Sequence, residues 1–336
     1  MFDYSQLEKY DPTGMHKVYD NWPKMAKEAY NSGLDAKEFP EIDHIVFSGM
    51  GGSGAIGDLF AGIFSKTNFH VSVVKGYLLP KTVDSKTLVI ATSVSGNTVE
   101  TLSTLESAFK LNCKLIAFAS GGRMEVFCDK NKIEFQKIPI THSPRASLVS
   151  FVYAILQILH SIIPISSQDI IDSIEQLEKT SKQISSSNLT EKNPALGLGV
   201  WIDNTPLIYY PWGFQAAAIR FKNSLQENAK THAIIEDVIE ASHNQIVSWE
   251  KETSIQPILI EGEGDYIKTK ERWKILKEYF EHNQISYREI FSAKGNILTK
   301  LMNLIYLLDY ATIYHAVNSR IDPSPVKSID FVKERL

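Results

Sequence analysis

The chain alternates short apolar segments with longer amphipathic ones, and this alternation constrains the fold more than any other feature of the sequence. Segments that are apolar at nearly every position are typical of parallel strands covered by helices on both faces. The N-terminal half therefore predicts a parallel sheet with helices between its strands. The predicted strands are His44–Ser48, Val71–Val74, Thr87–Thr92, Lys114–Ala119 and Ile133–Ile140.

The second half of the chain repeats this pattern. Its predicted strands are Leu207–Tyr210, Pro257–Glu261 and Tyr287–Phe291, and its predicted helices are Phe214–Ala229, Asp265–Asn283 and Asn296–Asn318. Between the halves, the polar and serine-rich residues 166–193 predict a surface helix followed by a linker. We therefore predict an α/β protein with a first domain at 1–163, which includes a helical N-terminal extension, a helical linker at 164–195 and a second domain at 196–336.

Charge, apolar segments and cysteines exclude several classes of protein. The formal net charge is −4 and no dense run of Lys and Arg occurs, so the chain lacks the electrostatic footprint of a nucleic-acid-binding protein. The N-terminus is polar, unlike a signal peptide, and polar residues interrupt the apolar stretch Leu148–Ile165, which favours a buried helix over a membrane span. Cys113 and Cys128 form neither a disulfide framework nor a metal motif. We expect a cytoplasmic protein with no nucleic-acid or membrane partner.

A glycine-rich segment, Gly49–Gly54 (GMGGSG), follows the first predicted strand and precedes a helix; we call it the first loop. Its spacing matches the G-x-G-x-x-G pattern of dinucleotide sites, which also need an acidic residue at the end of the next strand. That strand ends near Lys75 without a carboxylate, although a basic residue there suits the 2′-phosphate of NADP. An NADP site and a tight turn that needs glycine for backbone reasons therefore both remain open.

The second loop, Thr92–Thr98 (TSVSGNT), follows another predicted strand and opens a helix. Ser93, Ser95 and Thr98 place three hydroxyls beside the exposed N–H groups at the positive end of that helix. This group of hydroxyls and N–H donors suits the dianion of a phosphate monoester. An ordinary helix cap by Asn97 or Thr98 is the alternative, but it needs one hydroxyl only, and a dinucleotide fold has no use for this loop.

These two loops, about 40 residues apart, resemble the sugar isomerase (SIS) domain. Further segments resemble the bifunctional phosphoglucose/phosphomannose isomerases of the phosphoglucose isomerase superfamily, and the resemblance extends from about residue 45 to residue 336. These segments are Ser143–Ala146 (SPRA), Gln226–Lys230 (QENAK), Ser242–Gln245 (SHNQ) and the tail Asp322–Val326 (DPSPV) with Ile329–Lys333 (IDFVK). The resemblance implies two SIS-type domains, each a parallel sheet flanked by helices.

The resemblance also implies an activity. It implies an aldose–ketose isomerase that interconverts glucose-6-phosphate, and mannose-6-phosphate, with fructose-6-phosphate by metal-free proton transfer through an enediolate. In the family pattern the phosphate is held by residues of both loops, namely Gly52, Ser53, Ser93, Ser95 and Thr98. Ser324 stands where the family's tail segment has threonine, which bears on substrate specificity.

The family pattern assigns four catalytic positions. Glu227 becomes the proton-transfer base, Arg145 lies near C1–C2 of the substrate and Lys333 near the ring oxygen. His243 becomes a ring-opening residue. In this superfamily that histidine comes from the partner subunit, so the resemblance implies a homodimer with shared active sites.

The residue types suit this chemistry independently of the family. One carboxylate can remove a proton from C2 and return it to C1, and Gln226, Asn228 and Lys230 flank Glu227 as residues able to order it. A guanidinium stabilises the charge of an enediolate, and Arg145 follows a proline at a predicted helix start, where the helix dipole disfavours a cation without an anionic neighbour.

The residue patterns alone leave two ordinary alternatives open. Glu227 is then a solvated glutamate on a helix face, and His243 is a structural histidine. Of nine histidines, His243 stands in a polar cluster, and histidine is the natural proton shuttle near neutral pH. No H-x-H or H-E-x-x-H motif occurs, so we expect no metal and no cofactor, unlike the zinc-dependent mannose-phosphate isomerases.

Three other activities compete with the isomerase. An NADP-dependent oxidoreductase leaves the second loop unexplained. An amidotransferase needs a nucleophilic cysteine near the start, where Phe2 follows Met1. An SIS-domain isomerase or a non-catalytic sensor for another sugar phosphate stays open as the main alternative, although regulators of that kind usually carry a DNA-binding helix-turn-helix, for which the residues before Asp43 offer no basic recognition helix.

Overall fold

The computed structural model describes residues 2–335 and consists of two compact α/β units. The N-terminal unit comprises residues 21–170 and 327–335, and the C-terminal unit comprises residues 2–20 and 171–326. The elements up to residue 158 are α1 (Tyr4–Tyr10), α2 (Met15–Asp20), α3 (Trp22–Tyr30), β1 (His44–Ser48), α4 (Gly51–Phe64), β2 (His70–Val74), β3 (Thr87–Ser93), α5 (Val99–Lys110), β4 (Lys114–Ala119), α6 (Gly122–Asn131), β5 (Glu134–Lys137) and α7 (Leu148–Ile158).

The remaining elements complete the C-terminal unit and the tail. They are α8 (Ser167–Ile184), α9 (Pro194–Trp201), β6 (Pro206–Tyr210), α10 (Gln215–Ser224), a π-helical turn (Leu225–Ala229), β7 (Ile234–Asp237), α11 (Val238–Ala241), a 3₁₀ helix (Gln245–Glu250), β8 (Gln256–Glu261), α12 (Ile267–His282), β9 (Arg288–Phe291), α13 (Ile297–Asn318) and α14 (Lys327–Lys333).

The sheet of the N-terminal unit has the strand order β2-β1-β3-β4-β5, and every pair in it is parallel. Every residue of β1 and β3 is buried, as the continuous apolar runs predict for strands covered on both faces. The chain passes from β1 to the edge strand β2 and returns to β3 on the other side of β1. The strand order thus reverses between β1 and β3, and the crevice at such a reversal is where open α/β sheets bind ligands.

The sheet of the C-terminal unit has the order β7-β6-β8-β9 and is also parallel. Its core helix α13 is buried along nearly its whole length, and α9 packs against it. The contact is close at Gly199, where a Cβ atom would lie 2.6 Å from the carbonyl oxygen of Ala311. Both units confirm the predicted α/β class with parallel sheets flanked by helices.

The division between the units differs from the boundaries expected from the sequence. Residues up to 20 belong to the C-terminal unit, because the Tyr306 hydroxyl donates to the Tyr19 carbonyl at 2.7 Å and the Tyr19 hydroxyl donates to Asp309. Most of the expected linker at 164–195 belongs to it as well. Within that stretch, Ser186 donates its N–H and its hydroxyl to the two carboxylate oxygens of Asp20, at 3.0 and 2.6 Å.

Several predicted elements have different ends or were missed. The predicted strand Ile133–Ile140 is limited to β5, because Pro139 cannot donate a ladder hydrogen bond. The short edge strand β7 was not predicted. The helix expected over Phe214–Ala229 ends as an α-helix at Ser224 and continues as the π-helical turn.

The long apolar segment forms a buried helix, and the two cysteines are not joined to each other. Within residues 2–335, no helix is both long and apolar enough to span a membrane, and α7 is a buried helix as predicted. Cys113 and Cys128 are free thiols, and burial raises their pKa values to about 11 and about 12. Across the same residues, no group of three or more His, Cys, Asp or Glu side chains is arranged to hold a metal ion.

Candidate active site

The two loops lie side by side at the carboxyl ends of β1 and β3, where the strand order reverses. The backbones approach so closely that a Cβ on Gly49 would lie 2.9 Å from both the Ser53 carbonyl carbon and the Thr92 oxygen. A Cβ on Gly54 would lie 2.8 Å from the Gly49 oxygen. Glycine is therefore required at both positions for steric reasons, and α4 begins inside the first loop, at Gly51, rather than after it.

A hydrogen bond joins the two loops. The Ser53 hydroxyl, which is 8% exposed, accepts from the Val94 N–H at 3.2 Å, and can therefore donate its own proton to a ligand. In the second loop, the hydroxyls of Ser93 and Thr98 lie 2.9 Å apart. Ser95 is exposed at the tip of that loop, and its hydroxyl accepts from the Asn97 N–H at 3.3 Å. The structure thus brings four of the predicted phosphate ligands to one pair of adjoining loops.

Both helices that leave these loops present uncapped N-termini. In the part of the chain that the structure describes, neither α4 nor α5 receives a capping hydrogen bond from the side chain of its N-cap residue, Met50 or Thr98. The Thr98 hydroxyl contacts Ser93 instead, and Asn97 holds the loop through bonds to the Ser95 oxygen and the Arg123 N–H. The first N–H groups of α4, including that of Gly52, lack intrahelical acceptors and favour an anion there.

Lys75 is the basic residue that left an NADP site open in the sequence. In the structure it forms an ion pair. Its ammonium lies 2.5 Å from the Asp58 carboxylate of α4. A cation already paired with a carboxylate is a poor receptor for the 2′-phosphate of NADP, because the phosphate would have to displace that carboxylate. The geometry at Lys75 therefore disfavours a dinucleotide.

Arg145 lies in the turn that precedes α7 and is buried, with 4% of its surface exposed. The turn is fixed by the Ser147 hydroxyl, which donates to the Thr141 oxygen at 3.1 Å, and by the Trp22 indole, which donates to the Ala146 oxygen at 3.0 Å. A guanidinium is almost never buried unless it is paired, so Arg145 differs from an ordinary solvated arginine on the surface. Lys333, by contrast, is fully on the surface of α14, in which no residue from Lys327 to Lys333 is buried.

Glu227 lies in the π-helical turn of the C-terminal unit and is half-buried. π-Helical turns are rare and occur frequently at functional sites. The next residue, Asn228, is completely buried and donates to the Thr312 hydroxyl at 2.8 Å, which fixes the turn against α13. Glu227 is thus held on a locally unusual backbone rather than on a regular solvated helix face.

A buried ion pair that the sequence analysis missed supports this region. Arg220 donates to Asp309 through Nε and Nη2, and the Ser224 hydroxyl donates to the same carboxylate at 2.6 Å. Burial alone would lower the pKa of Arg220, but the Asp309 carboxylate raises it overall, and Glu227 adds to the same effect. A signal was present, because Asp309 is the one carboxylate in the largely apolar Ile297–Asn318 segment, and such a charge is rarely buried without a partner.

His243 lies in the turn between α11 and the 3₁₀ helix and is exposed. Its backbone is fixed, since its N–H donates to the Glu240 oxygen at 2.9 Å. Its ring makes no hydrogen bond, ion pair or ring contact with any residue between 2 and 335. The His243 side chain is therefore exposed at the surface.

Ser324 is half-buried in the C-terminal unit. Its hydroxyl lies 2.5 Å from that of Thr13, and its N–H donates to the Asp322 carboxylate at 2.9 Å. Lys230 connects this segment to Glu227, because its ammonium donates both to the Glu227 carbonyl at 2.8 Å and to the Asp322 carbonyl at 3.1 Å. The structure thus joins the predicted base and the predicted specificity residue through one lysine.

Comparisons with known proteins agree with this geometry. Residues 38–162 match the SIS domain family, and residues 191–336 match the family described as the bacterial phospho-glucose isomerase C-terminal SIS domain. The chain is 33% identical to the bifunctional phosphoglucose/phosphomannose isomerase of Caldicellulosiruptor bescii over 94% of its own length and 97% of that protein. It is 29% identical to the protein of the same name from Aquifex aeolicus, over 90% of this chain and 92% of that one.

Among solved structures, a hypothetical protein from Thermus thermophilus has a similar fold. Its TM-score is 0.76 at 15% sequence identity, with 98% of this chain and 92% of that chain covered. At this identity the similarity concerns the fold alone.

Proposed function

The chain belongs to the family of bifunctional phosphoglucose/phosphomannose isomerases, and on this premise we propose that it interconverts glucose-6-phosphate and mannose-6-phosphate with fructose-6-phosphate. The observation that carries the proposal is the pair of adjoining serine- and glycine-rich loops, joined by the Ser53–Val94 hydrogen bond, within a chain related to these enzymes over nearly its full length. A phosphorylated hexose is the substrate class that such loops fit.

The substrate's phosphate binds to the two loops. The hydroxyls of Ser53, Ser93, Ser95 and Thr98 and the N–H of Gly52 donate to its oxygens. The positive ends of α4 and α5 favour the same dianion. The phosphate anchors the sugar without taking part in the reaction.

Glu227 moves the proton. Its carboxylate removes the proton from C2 of the open-chain aldose, the C2–H electrons form the C1–C2 double bond, and the C1=O π electrons move onto O1 to give the enediolate. A proton then passes from O2 to O1, C2=O forms, and the same carboxylate returns its proton to C1. Glucose-6-phosphate and mannose-6-phosphate differ in configuration at C2 alone, and the enediolate loses that difference. Arg145 stabilises the negative charge that develops on the enediolate oxygens, because a guanidinium binds that charge more tightly than it binds the neutral sugar.

Ring opening uses His243 and Lys333. Hexose phosphates are mostly cyclic, so a proton must reach the ring oxygen before C2 is accessible to the base. His243 is exposed and its ring makes no hydrogen bond, ion pair or ring contact within residues 2–335 of its own subunit, which suits a histidine that acts in the site of a partner subunit. The functional protein is on this proposal a cytoplasmic homodimer, and Ser324 tunes the preference between the two aldoses.

Coupled assays test the proposal. Conversion of glucose-6-phosphate and of mannose-6-phosphate to fructose-6-phosphate is measured in the presence of EDTA, and turnover of both is expected because no step of the proposed mechanism uses a metal. Binding of these phosphates without turnover would instead indicate a non-catalytic sensor. Turnover of a different sugar phosphate alone would indicate another SIS-domain isomerase.

A titration with NADPH, followed by tryptophan fluorescence, provides the control for the rejected dinucleotide site. We expect no saturable change, because Lys75 is paired with Asp58. Saturable NADPH binding that is weakened by competing sugar phosphates would indicate that the first loop binds a nucleotide.

A further inference from the structure

The backbone conformation of Lys230 is unusual for its residue type. Its φ and ψ are 57° and 29°, in the left-handed region that favours glycine or asparagine, and its N–H closes the π-helical turn on the Leu225 carbonyl. A lysine at such a position carries a backbone strain that glycine would avoid. Contacts of the Lys230 side chain must therefore offset this strain.

The ammonium group of Lys230 makes these contacts. It donates to the carbonyl oxygens of Glu227 at 2.8 Å and Asn228 at 3.2 Å, which lie near the end of the π-helical turn. It also reaches the carbonyls of Asp322 at 3.1 Å and Pro323 at 3.5 Å, which lie more than 90 residues further along the chain. One cation thus binds the carbonyls of two separate segments. Carbonyls at a helix C-terminus carry partial negative charge, which makes them good acceptors for it.

Both segments carry residues of the proposed reaction. The first carries the base Glu227, and the second carries Ser324, whose N–H is bonded to Asp322. We propose that Lys230 is a positioning residue that fixes the Glu227 turn against the Asp322–Ser324 segment, so that one side chain sets both the geometry of the base and the preference between the two aldoses. This inference rests on the proposed function above.

The test compares the wild-type protein with Lys230→Met, Lys230→Arg and the control Lys274→Met. Methionine keeps the aliphatic stem and removes the charge. Lys274 belongs to the same unit, and its side chain is 79% exposed in a surface ion pair. Each protein is assayed with glucose-6-phosphate and mannose-6-phosphate for kcat and KM, and its melting temperature is measured by circular dichroism.

For Lys230→Met we expect kcat to fall about 10- to 100-fold with little change in KM, because a misplaced catalytic group mainly lowers the rate of the chemical step. We also expect the ratio of kcat/KM between the two aldoses to change. A merely structural residue would lower activity with both aldoses equally and in step with the melting temperature. Lys230→Arg should recover part of kcat, because a guanidinium can also donate to several carbonyls. Wild-type kcat and an unchanged ratio in Lys230→Met would overturn the proposal.

Hydrogen exchange without substrate separates this inference from the proposed function. In Lys230→Met, and not in Lys274→Met, the amides of 225–231 and those of 321–326 should lose protection together. Unchanged exchange in both segments would overturn the coupling whatever happens to kcat. If the wild-type protein turns over neither aldose but the exchange changes as expected, the proposed function fails while the coupling between the two segments stands.

Discussion

Arg220 and Asp309 form an ion pair with 2.7 Å between Nη2 and Oδ2, and their side chains are 3% and 0% exposed. The carboxylate also accepts from Ser224 and Tyr19, so it holds together α10, α13 and the N-terminal segment of the same unit. Arg220 and Ser224 lie in the C-terminal half of α10, which continues into the Glu227 turn. The effect of such a buried pair on the free energy of unfolding is measured by removing one of its partners.

Asp309→Asn should lower the free energy of unfolding by about 3–5 kcal/mol, because it leaves the Arg220 charge buried without its counterion. Urea denaturation checks this value. The matched control is Glu278→Gln in the exposed Lys274–Glu278 pair, whose 3.8 Å contact should be worth about 1 kcal/mol or less. Equal losses in the two variants would show that Arg220 finds another partner or becomes hydrated.

Glu227→Gln should abolish isomerisation and leave the affinity for fructose-6-phosphate nearly unchanged, because the carboxylate acts on a C–H proton and not on the phosphate. The expected loss in kcat is at least about 10²-fold, the lower end for a general base. Isomerase assays and titration calorimetry measure the two quantities, with the exposed Glu250→Gln as the control. A smaller loss in kcat would remove Glu227 from this role.

Ser95→Ala combined with Thr98→Ala should raise KM for every phosphorylated substrate. Each hydrogen bond to a charged phosphate contributes about 1.5–3 kcal/mol, so each lost bond weakens binding by roughly 10- to 150-fold. The affinity for 5-phosphoarabinonate, an enediolate-like inhibitor, provides an independent measurement. If that affinity matches the wild-type value, the phosphate binds elsewhere.

Glu227→Gln and His243→Ala subunits, each inactive alone, should complement one another. If the histidine acts across a two-fold interface, a mixed dimer contains one site with both residues intact and one with neither. Random pairing at equal input makes about half the dimers mixed, so activity should recover to roughly a quarter of the wild-type value.

The complementation requires a mixture that has been denatured and refolded together, with mixed dimers confirmed by native mass spectrometry. The unmixed variants, treated in the same way, are the control. An inactive preparation that contains mixed dimers would mean that both residues act from one chain or that His243 is structural.

His44 should make the protein less stable as the pH falls below neutrality. Burial, followed by the nearby His70 ring at 4.5 Å, lowers the pKa of His44 in the folded state, although Asp84 and Asp43 act in the opposite direction. The unfolded chain then binds more protons than the folded one below a pH of about 6.5, so stability is complete above that pH and declines beneath it.

Urea denaturation at pH 7.5, 6.5 and 5.5 measures this effect in the wild type and in His44→Gln. Glutamine has donors and acceptors for the Ser72 and Thr87 hydroxyls that the ring contacts, but it does not titrate. We expect a weaker pH dependence in the variant. Identical slopes in the two proteins would assign the pH dependence to other groups, such as His315, whose pKa burial also lowers.

The sequence by itself determined the sheet-forming segments and the two loops. Strands β1 and β4 begin and end at the predicted residues, because their apolar runs are bounded by polar residues and turns. The loops could be identified because the pattern is local: glycines needed for close backbone approach and hydroxyls at a helix start lie within a few residues of each other. Resemblance to the family then supplied the candidate roles for Glu227, His243, Arg145 and Lys333, which residue patterns alone left open.

Tertiary structure alone decided which distant residues meet. Arg220 and Asp309 are 89 positions apart and Lys230 and Asp322 are 92 apart, so no local periodicity relates them. The same holds for the first 20 residues, which belong with α13 because Tyr19 and Tyr306 are hydrogen-bonded. The π-helical turn at Glu227 also depends on distant residues. Its sequence is compatible with a regular helix, and the buried Asn228–Thr312 hydrogen bond and the contact of Lys230 with Asp322 support the wider turn instead.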